Sequence, residues 1–147
     1  MSTLTKTTIK TLALDLEGTL ISNAMSQFAR HGLCEFLNAC DRIFGQDNIV
    51  IFTTVNEQLF RRVAAQLYQD GQVPEWFVTM QYIKWQGECK DLHFVDQYSP
   101  ESVLLVDDYE GVIHPDQKEQ WIAIKQFAHP YEDDMELMGV YSKIRNI

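Results

Sequence analysis

From Ile9 to Leu16 the chain is mostly apolar (Ile-Lys-Thr-Leu-Ala-Leu-Asp-Leu) and then stops at Glu17-Gly18-Thr19. The run is too short for periodicity to decide, but the glycine that follows it favours a buried strand closing in a turn. Helical patterning comes next. Leu33, Phe36, Leu37, Cys40, Ile43 and Phe44 form one apolar stripe between Gly32 and Gly45, the latter at a position where a helix end often needs left-handed backbone angles. Ile49–Phe52 reads as a second buried strand. A second helix is expected from about Val55 to Gln69, with Leu59, Phe60, Val63, Ala64, Leu67 and Tyr68 on one face. Thr54 and Glu57 have capping-box spacing at its start, and Gly71 supplies its stop. Trp76–Met80 reads as a weaker third strand after Pro74. Val103–Val106 is a strong fourth that runs into Asp107-Asp108, Trp121–Lys125 a fifth, and Glu132–Arg145 a closing helix.

Strands alternating with helices imply parallel pairing through right-handed crossovers. The expected fold is therefore a single α/β domain over residues 1–147, a Rossmann-like parallel sheet sandwiched by helices. No repeat, low-complexity tract or linker-like stretch interrupts it.

Composition narrows the possible functions. Of 147 residues, 21 are acidic and 12 basic, a formal charge of −9. A general nucleic-acid or anionic-membrane binder normally carries the opposite sign, so neither partner is expected. The acidic run Glu132, Asp133, Asp134 and Glu136 reads as a solvated helix start, where acids meet the positive end of the helix dipole. No apolar run approaches a membrane span, and Met1–Lys10 lacks the apolar core of a signal peptide. Cys34, Cys40 and Cys89 have no zinc-type spacing, so a cytoplasmic protein with free thiols is expected.

The chemistry gathers at the carboxyl ends of the expected strands, where open parallel sheets bind ligands. Asp15 and Glu17 follow the first, Thr53 the second, Asp107 and Asp108 the fourth. With one basic residue from between Thr53 and Asp107, these are the parts needed for phosphoryl transfer. They supply a carboxylate nucleophile, carboxylates for a hard cation, and donors for phosphoryl oxygens.

Asp15-Leu16-Glu17-Gly18-Thr19-Leu20 resembles the first motif of the haloacid dehalogenase (HAD) superfamily, D-x-D-G-T-L. Phe52-Thr53-Thr54, Lys90-Asp91-Leu92 and Leu104-Leu105-Val106-Asp107-Asp108 resemble the second, third and fourth, in family order. Phe52-Thr53-Thr54, Lys90-Asp91-Leu92 and His31-Gly32-Leu33-Cys34-Glu35-Phe36-Leu37 also resemble the small carboxy-terminal-domain (CTD) phosphatase and NLI-interacting-factor-like group. That group usually has D-L-D-x-T-L, so Glu17 is a departure.

The resemblance implies a phosphatase that works through an aspartyl-phosphate and a Mg²⁺ cofactor. Asp15 would be the nucleophile and Glu17 the general acid and base. Thr53 would donate a hydroxyl to the phosphoryl group, and Lys90 would neutralise charge, with Lys84 the competing lysine. Asp15, the Glu17 backbone carbonyl, Asp107 and Asp108 would form the metal site, and Gly18 and Thr19 would shape an anion-binding turn. The four histidines show no ligand spacing, and among the tryptophans Trp85, with Tyr82 nearby, is the one placed to meet substrate.

The interval from Asp15 to Thr53 is 38 residues and that from Thr53 to Lys90 is 37, too short for a separate cap domain. An open site suits a phosphate displayed on a protein, or a small molecule if a homo-oligomer supplies the lid. Two rivals remain. A phosphoaccepting receiver domain would place its acid pair after the first strand and its lysine last, the reverse of the order here. A catalytically impaired relative that binds phosphorylated ligands or partners is the other, with Glu17 as its mark.

Overall fold

In the computed structural model, which describes residues 9–147, Thr11–Leu14 form β1 at the centre of a parallel sheet. Residues 1–8, and with them most of the segment read for a leader, lie outside the described residues. Strand β2 (Ile49–Ile51) pairs with one side of β1 and β4 (Val103–Asp107) with the other. Strands β3 (Gln81–Tyr82) and β5 (Trp121–Ala123) complete the sheet, so its order among the described residues is β3-β2-β1-β4-β5.

Alternation along the central strands explains the two buried clusters. Leu12 and Leu14 of β1, Ile49 and Ile51 of β2, and Leu104 and Val106 of β4 face the same way. They meet α1 (Leu33–Phe44), α2 (Glu57–Gln69), α3 (Trp76–Thr79) and α4 (Glu136–Arg145). Phe36 and Leu37 of α1, Phe60 and Val63 of α2, Phe77 of α3 and Val140 of α4 fill that interface. Each such side chain contributes about 1.5–3 kcal/mol on burial. Ala13, Val50, Phe52, Val103 and Leu105 face the other way, onto Ile83, Leu92, Ile113, Trp85 and Trp121. Apart from Trp121 of β5, that second layer comes from loops and short 3-10 turns such as Leu92–Phe94 and Glu110–Val112.

The expected elements are found, with four corrections. Helix α2 starts at Glu57, and its N-cap is Asn56, whose Oδ1 accepts the Leu59 amide at 2.9 Å; Thr54 is exposed and caps nothing. Trp76–Thr79 is one helical turn, with Phe77 stacked edge-on against Phe60 at 5.6 Å, and the third strand is the polar pair after it. Helix α4 begins at Glu136, so Glu132, Asp133 and Asp134 precede it. Strands β1, β2 and β5 are also shorter than the apolar runs suggested, while β4 extends one residue further, to Asp107.

Between β1 and β2, and between β2 and Lys90, the described residues hold α1, α2, α3, β3 and connecting loops, with no further domain. No helix among them is long and apolar enough to cross a membrane.

Candidate active site

The register of the sheet brings the site together. Leu14 pairs with Val106, and the Asp15 amide still donates to the Val106 carbonyl at 3.0 Å, so Asp15 emerges beside Asp107. On the other flank the Phe52 amide donates to the Leu14 carbonyl at 2.8 Å, which sets Thr53 at the same end of the sheet. Lys90 arrives from outside the sheet, held by its amide on the Val112 carbonyl at 2.7 Å. Its Nζ donates to Asp15 Oδ1 at 2.8 Å and to Asp107 Oδ2 at 2.6 Å, and only 2% of its side chain is exposed. Lys84 instead lines a groove beside Thr53.

The turn after β1 explains why Gly18 and Thr19 stand where they do. Gly18 has φ 78°, a left-handed conformation, and a Cβ there would lie 2.5 Å from Asp108 Oδ2. A side chain would therefore push Asp108 away. The Thr19 hydroxyl is within hydrogen-bonding distance of Asp15 Oδ2 at 2.8 Å and Asp108 Oδ1 at 3.1 Å, and so bridges the two acids. Inside the turn the Gly18 amide donates to Ile21 O, and the amides of Thr19, Leu20 and Ile21 all donate to Leu16 O. The amides of Leu16 and Glu17 have no acceptor among the described residues. The Glu17 carboxylate stands apart from the other acids, its Oε2 accepting the Ala24 amide at 2.7 Å.

Asp15, Asp107 and Asp108 each offer an oxygen within 4.8 Å of the others. Three carboxylates thus face one ammonium. Burial pushes the Asp15 carboxyl up to about 6; the Lys90 charge pulls it down and the Asp108 carboxyl adds to the rise. Burial raises Asp107 as well, with the Asp15 charge acting in the same direction. Burial alone would lower Lys90, but the charges of Asp15 and Asp107 outweigh it and hold the ammonium above its ordinary value. A cluster of hard oxygen donors with too little positive charge fits a metal cation.

Thr53 is buried, and its Oγ1 accepts the Val55 amide at 3.1 Å, which leaves the hydroxyl proton free to donate. Trp85 Nε1 donates to the Thr53 carbonyl at 2.9 Å, and the Tyr82 hydroxyl donates to Val55 O. These contacts clamp the loop beneath an open groove of about 420 Å³, lined by Thr53, Asn56, Tyr82, Lys84 and Trp85 among others.

NIF, described as NLI interacting factor-like phosphatase, matches residues 10–147. The chain belongs to this phosphatase family. As an NLI interacting factor-like domain it is also a member of the HAD superfamily, and its buried acids are consistent with that superfamily's catalytic site. No curated protein matches the chain significantly.

Of the residues singled out in the sequence, the structure joins Asp15, Lys90, Asp107 and Asp108, with Thr53 at the same sheet end and the Glu17 carboxylate outside the cluster. Sequence reasoning missed the bridging role of Thr19, the Trp85 clamp and the buried Arg30. The first was within reach, since a hydroxyl four residues after Asp15 can fold back on it. The other two depend on contacts between distant segments.

Proposed function

We propose that this domain hydrolyses phosphate monoesters through an aspartyl-phosphate on Asp15, with Mg²⁺ held by Asp15, Asp107 and Asp108 together with the Glu17 backbone carbonyl. The observation that carries this reading is Lys90, buried and shared between Asp15 and Asp107. A lone surface lysine would have no reason to enter so costly a position.

An Asp15 carboxyl near 6 is ionised at and above neutral pH, so it can act as a nucleophile. Its oxygen bonds to phosphorus as the ester P–O bond breaks, and Glu17 gives its proton to the leaving oxygen. Glu17 then takes a proton from water, whose oxygen attacks phosphorus. The bond to Asp15 breaks, releasing inorganic phosphate. Lys90, the Thr53 hydroxyl and the unpaired amides of Leu16 and Glu17 offset the charge on the phosphoryl oxygens. When bound, Mg²⁺ supplies further positive charge that lets two anions approach.

The groove beside Thr53 is open, which favours a phosphate carried on a protein side chain. The free thiols of Cys34, Cys40 and Cys89 support a cytoplasmic setting, and burial pushes Cys40 up to about 12, so that thiol stays protonated. A second reading, a phosphate-binding domain with little turnover, is favoured by the engagement of the Glu17 carboxylate with the Ala24 amide. Hydrolysis of p-nitrophenyl phosphate with and without Mg²⁺ separates the two. Mg²⁺-dependent turnover abolished in Asp15→Asn is the expected result. Tight binding of a phosphate mimic without turnover would establish the second reading instead.

A further inference from the structure

Among the described residues Arg30 is the largest fully buried side chain, and it makes no hydrogen bond to Asp15, Glu17, Asp107 or Asp108. Its amide donates to Leu20 O at 3.0 Å, which fixes it behind the turn that carries Gly18 and Thr19. Nε lies 3.2 and 3.1 Å from the two carboxylate oxygens of Asp134, and Nη2 lies 3.0 Å from Oδ2. Nη2 also donates to Lys125 O at 2.6 Å, while Nη1 donates to Gly18 O at 3.3 Å and Thr19 O at 3.1 Å. The guanidinium stands over the Phe127 ring at 5.3 Å, and the Phe127 amide adds a second bond to Gly18 O at 2.8 Å.

Arg30 is fully buried while the Asp134 side chain keeps 29% of its surface exposed. An ion pair with a buried member is often no more stabilising than apolar residues of the same volume, so stability alone is a poor account of this one. The fork does something an apolar side chain cannot. The Gly18 carbonyl lies in the peptide plane before the Thr19 Cα, and the Thr19 carbonyl lies in the plane after it. Because peptides are planar, fixing both carbonyls fixes both planes and therefore the direction of the Thr19 Cα–Cβ bond. That bond aims the hydroxyl that bridges Asp15 and Asp108. Asp134, 104 residues away in sequence, supplies the matching planar acceptor.

We propose that Arg30, braced by Asp134, is a positioning residue that holds Asp15 and Asp108 in their reactive arrangement by way of Thr19. The proposal rests on the phosphatase reading for its kinetic consequence, but not for its structural one. Lysine lacks the planar fork, so Arg30→Lys keeps the charge and loses the aim.

A double-mutant cycle between Arg30→Lys and Thr19→Val tests this, with Val140→Ala in α4 as a destabilised control outside the site. Each site variant is expected to lower kcat about 10–100-fold with a smaller change in KM. The pair should be little worse than the more severe single variant, because both remove the same alignment. Val140→Ala should keep kcat well below its Tm. Losses that multiply, or a folded Arg30→Lys with wild-type kcat, would overturn the proposal. If Arg30→Lys fails to fold, Asp134→Asn takes its place in the cycle. The same cycle is read without turnover from the Mg²⁺ dissociation constant, followed by the amide resonances of Thr19 and Tyr109. Wild-type protein without turnover refutes the phosphatase reading, whereas unchanged Mg²⁺ affinity in a folded Arg30→Lys, or in Asp134→Asn in its place, refutes the role of Arg30.

Discussion

Replacing Asp15 by asparagine should abolish turnover and, in the absence of divalent cations, stabilise the fold at neutral pH. The folded carboxyl ionises near 6, against 3.8 for an unperturbed aspartate, because burial outweighs the attraction of Lys90. A carboxyl raised by folding binds its proton more tightly in the native state. Its contribution to stability is therefore full below about 3.8 and is lost as pH rises through about 6. A difference of about two pKa units corresponds to about 3 kcal/mol. Asparagine avoids this cost and fits the same bonds: its carbonyl can accept from Lys90, and its amide can donate to the Thr19 hydroxyl, which then donates to Asp108.

Chemical denaturation in chelator across pH is the assay. At pH 7.5 Asp15→Asn should exceed wild type by up to about 3 kcal/mol, or about 6–12 °C in Tm for a chain of this size. The advantage should shrink toward zero near pH 4. Adding Mg²⁺ at pH 7.5 should stabilise wild type more than the variant and close the gap. An asparagine variant less stable than wild type at pH 7.5, or a difference independent of pH, would refute the reasoning.

Other perturbations address separate parts of the site. Glu17→Gln should slow p-nitrophenyl phosphate hydrolysis by about 10²–10⁴-fold while Glu17→Asp keeps or raises it; equal rates for all three would remove Glu17 from proton transfer. Gly18→Ala forces a Cβ to within 2.5 Å of Asp108 Oδ2 at a left-handed φ, so it should cost about 1–3 kcal/mol and weaken Mg²⁺ binding, measured by denaturation and by titration. Asp91 is partly buried, yet the His93 amide and the Gln117 side chain, which donate to it, lower its carboxyl to about 2. Asp91→Ala should therefore cost about 1 kcal/mol at neutral pH, and that deficit should fade as acid takes the wild type from about pH 4 to pH 2.

The central strands and the acids that end them were legible in the sequence because burial on both faces gives continuous apolar runs, and the carboxyl ends of such strands carry the chemistry. The edge was not. Gln81 and Tyr82 make a strand only by pairing with Val50 and Ile51, and no pattern in two polar-leaning residues announces that. Trp76-Phe77-Val78-Thr79 has strand-forming composition, but after Pro74 it winds once so that Phe77 can reach Phe60. At the start of α2 the chain offers Thr54 and Asn56 as caps, and the later one wins because the helix begins only at Glu57. The acids before α4 were read from local charge alone. Asp134 is committed to Arg30, and nothing near either residue in sequence signals a partner so far away.

The placement of β1 has a consequence for when the protein can fail. Leu12, Ala13 and Leu14 have hydrogen-bonded neighbours on both sides, so the backbone that carries Asp15 is the last part of the sheet free to loosen. Fraying at β3 leaves the acids in register, whereas β5 is tied to them: Ala123 pairs with Asp107, and Trp121 Nε1 and the Ile124 amide both donate to Asp107 O. The alignment of the acids should accordingly survive opening at the β3 rim and be lost once β5 or the centre of the sheet gives way.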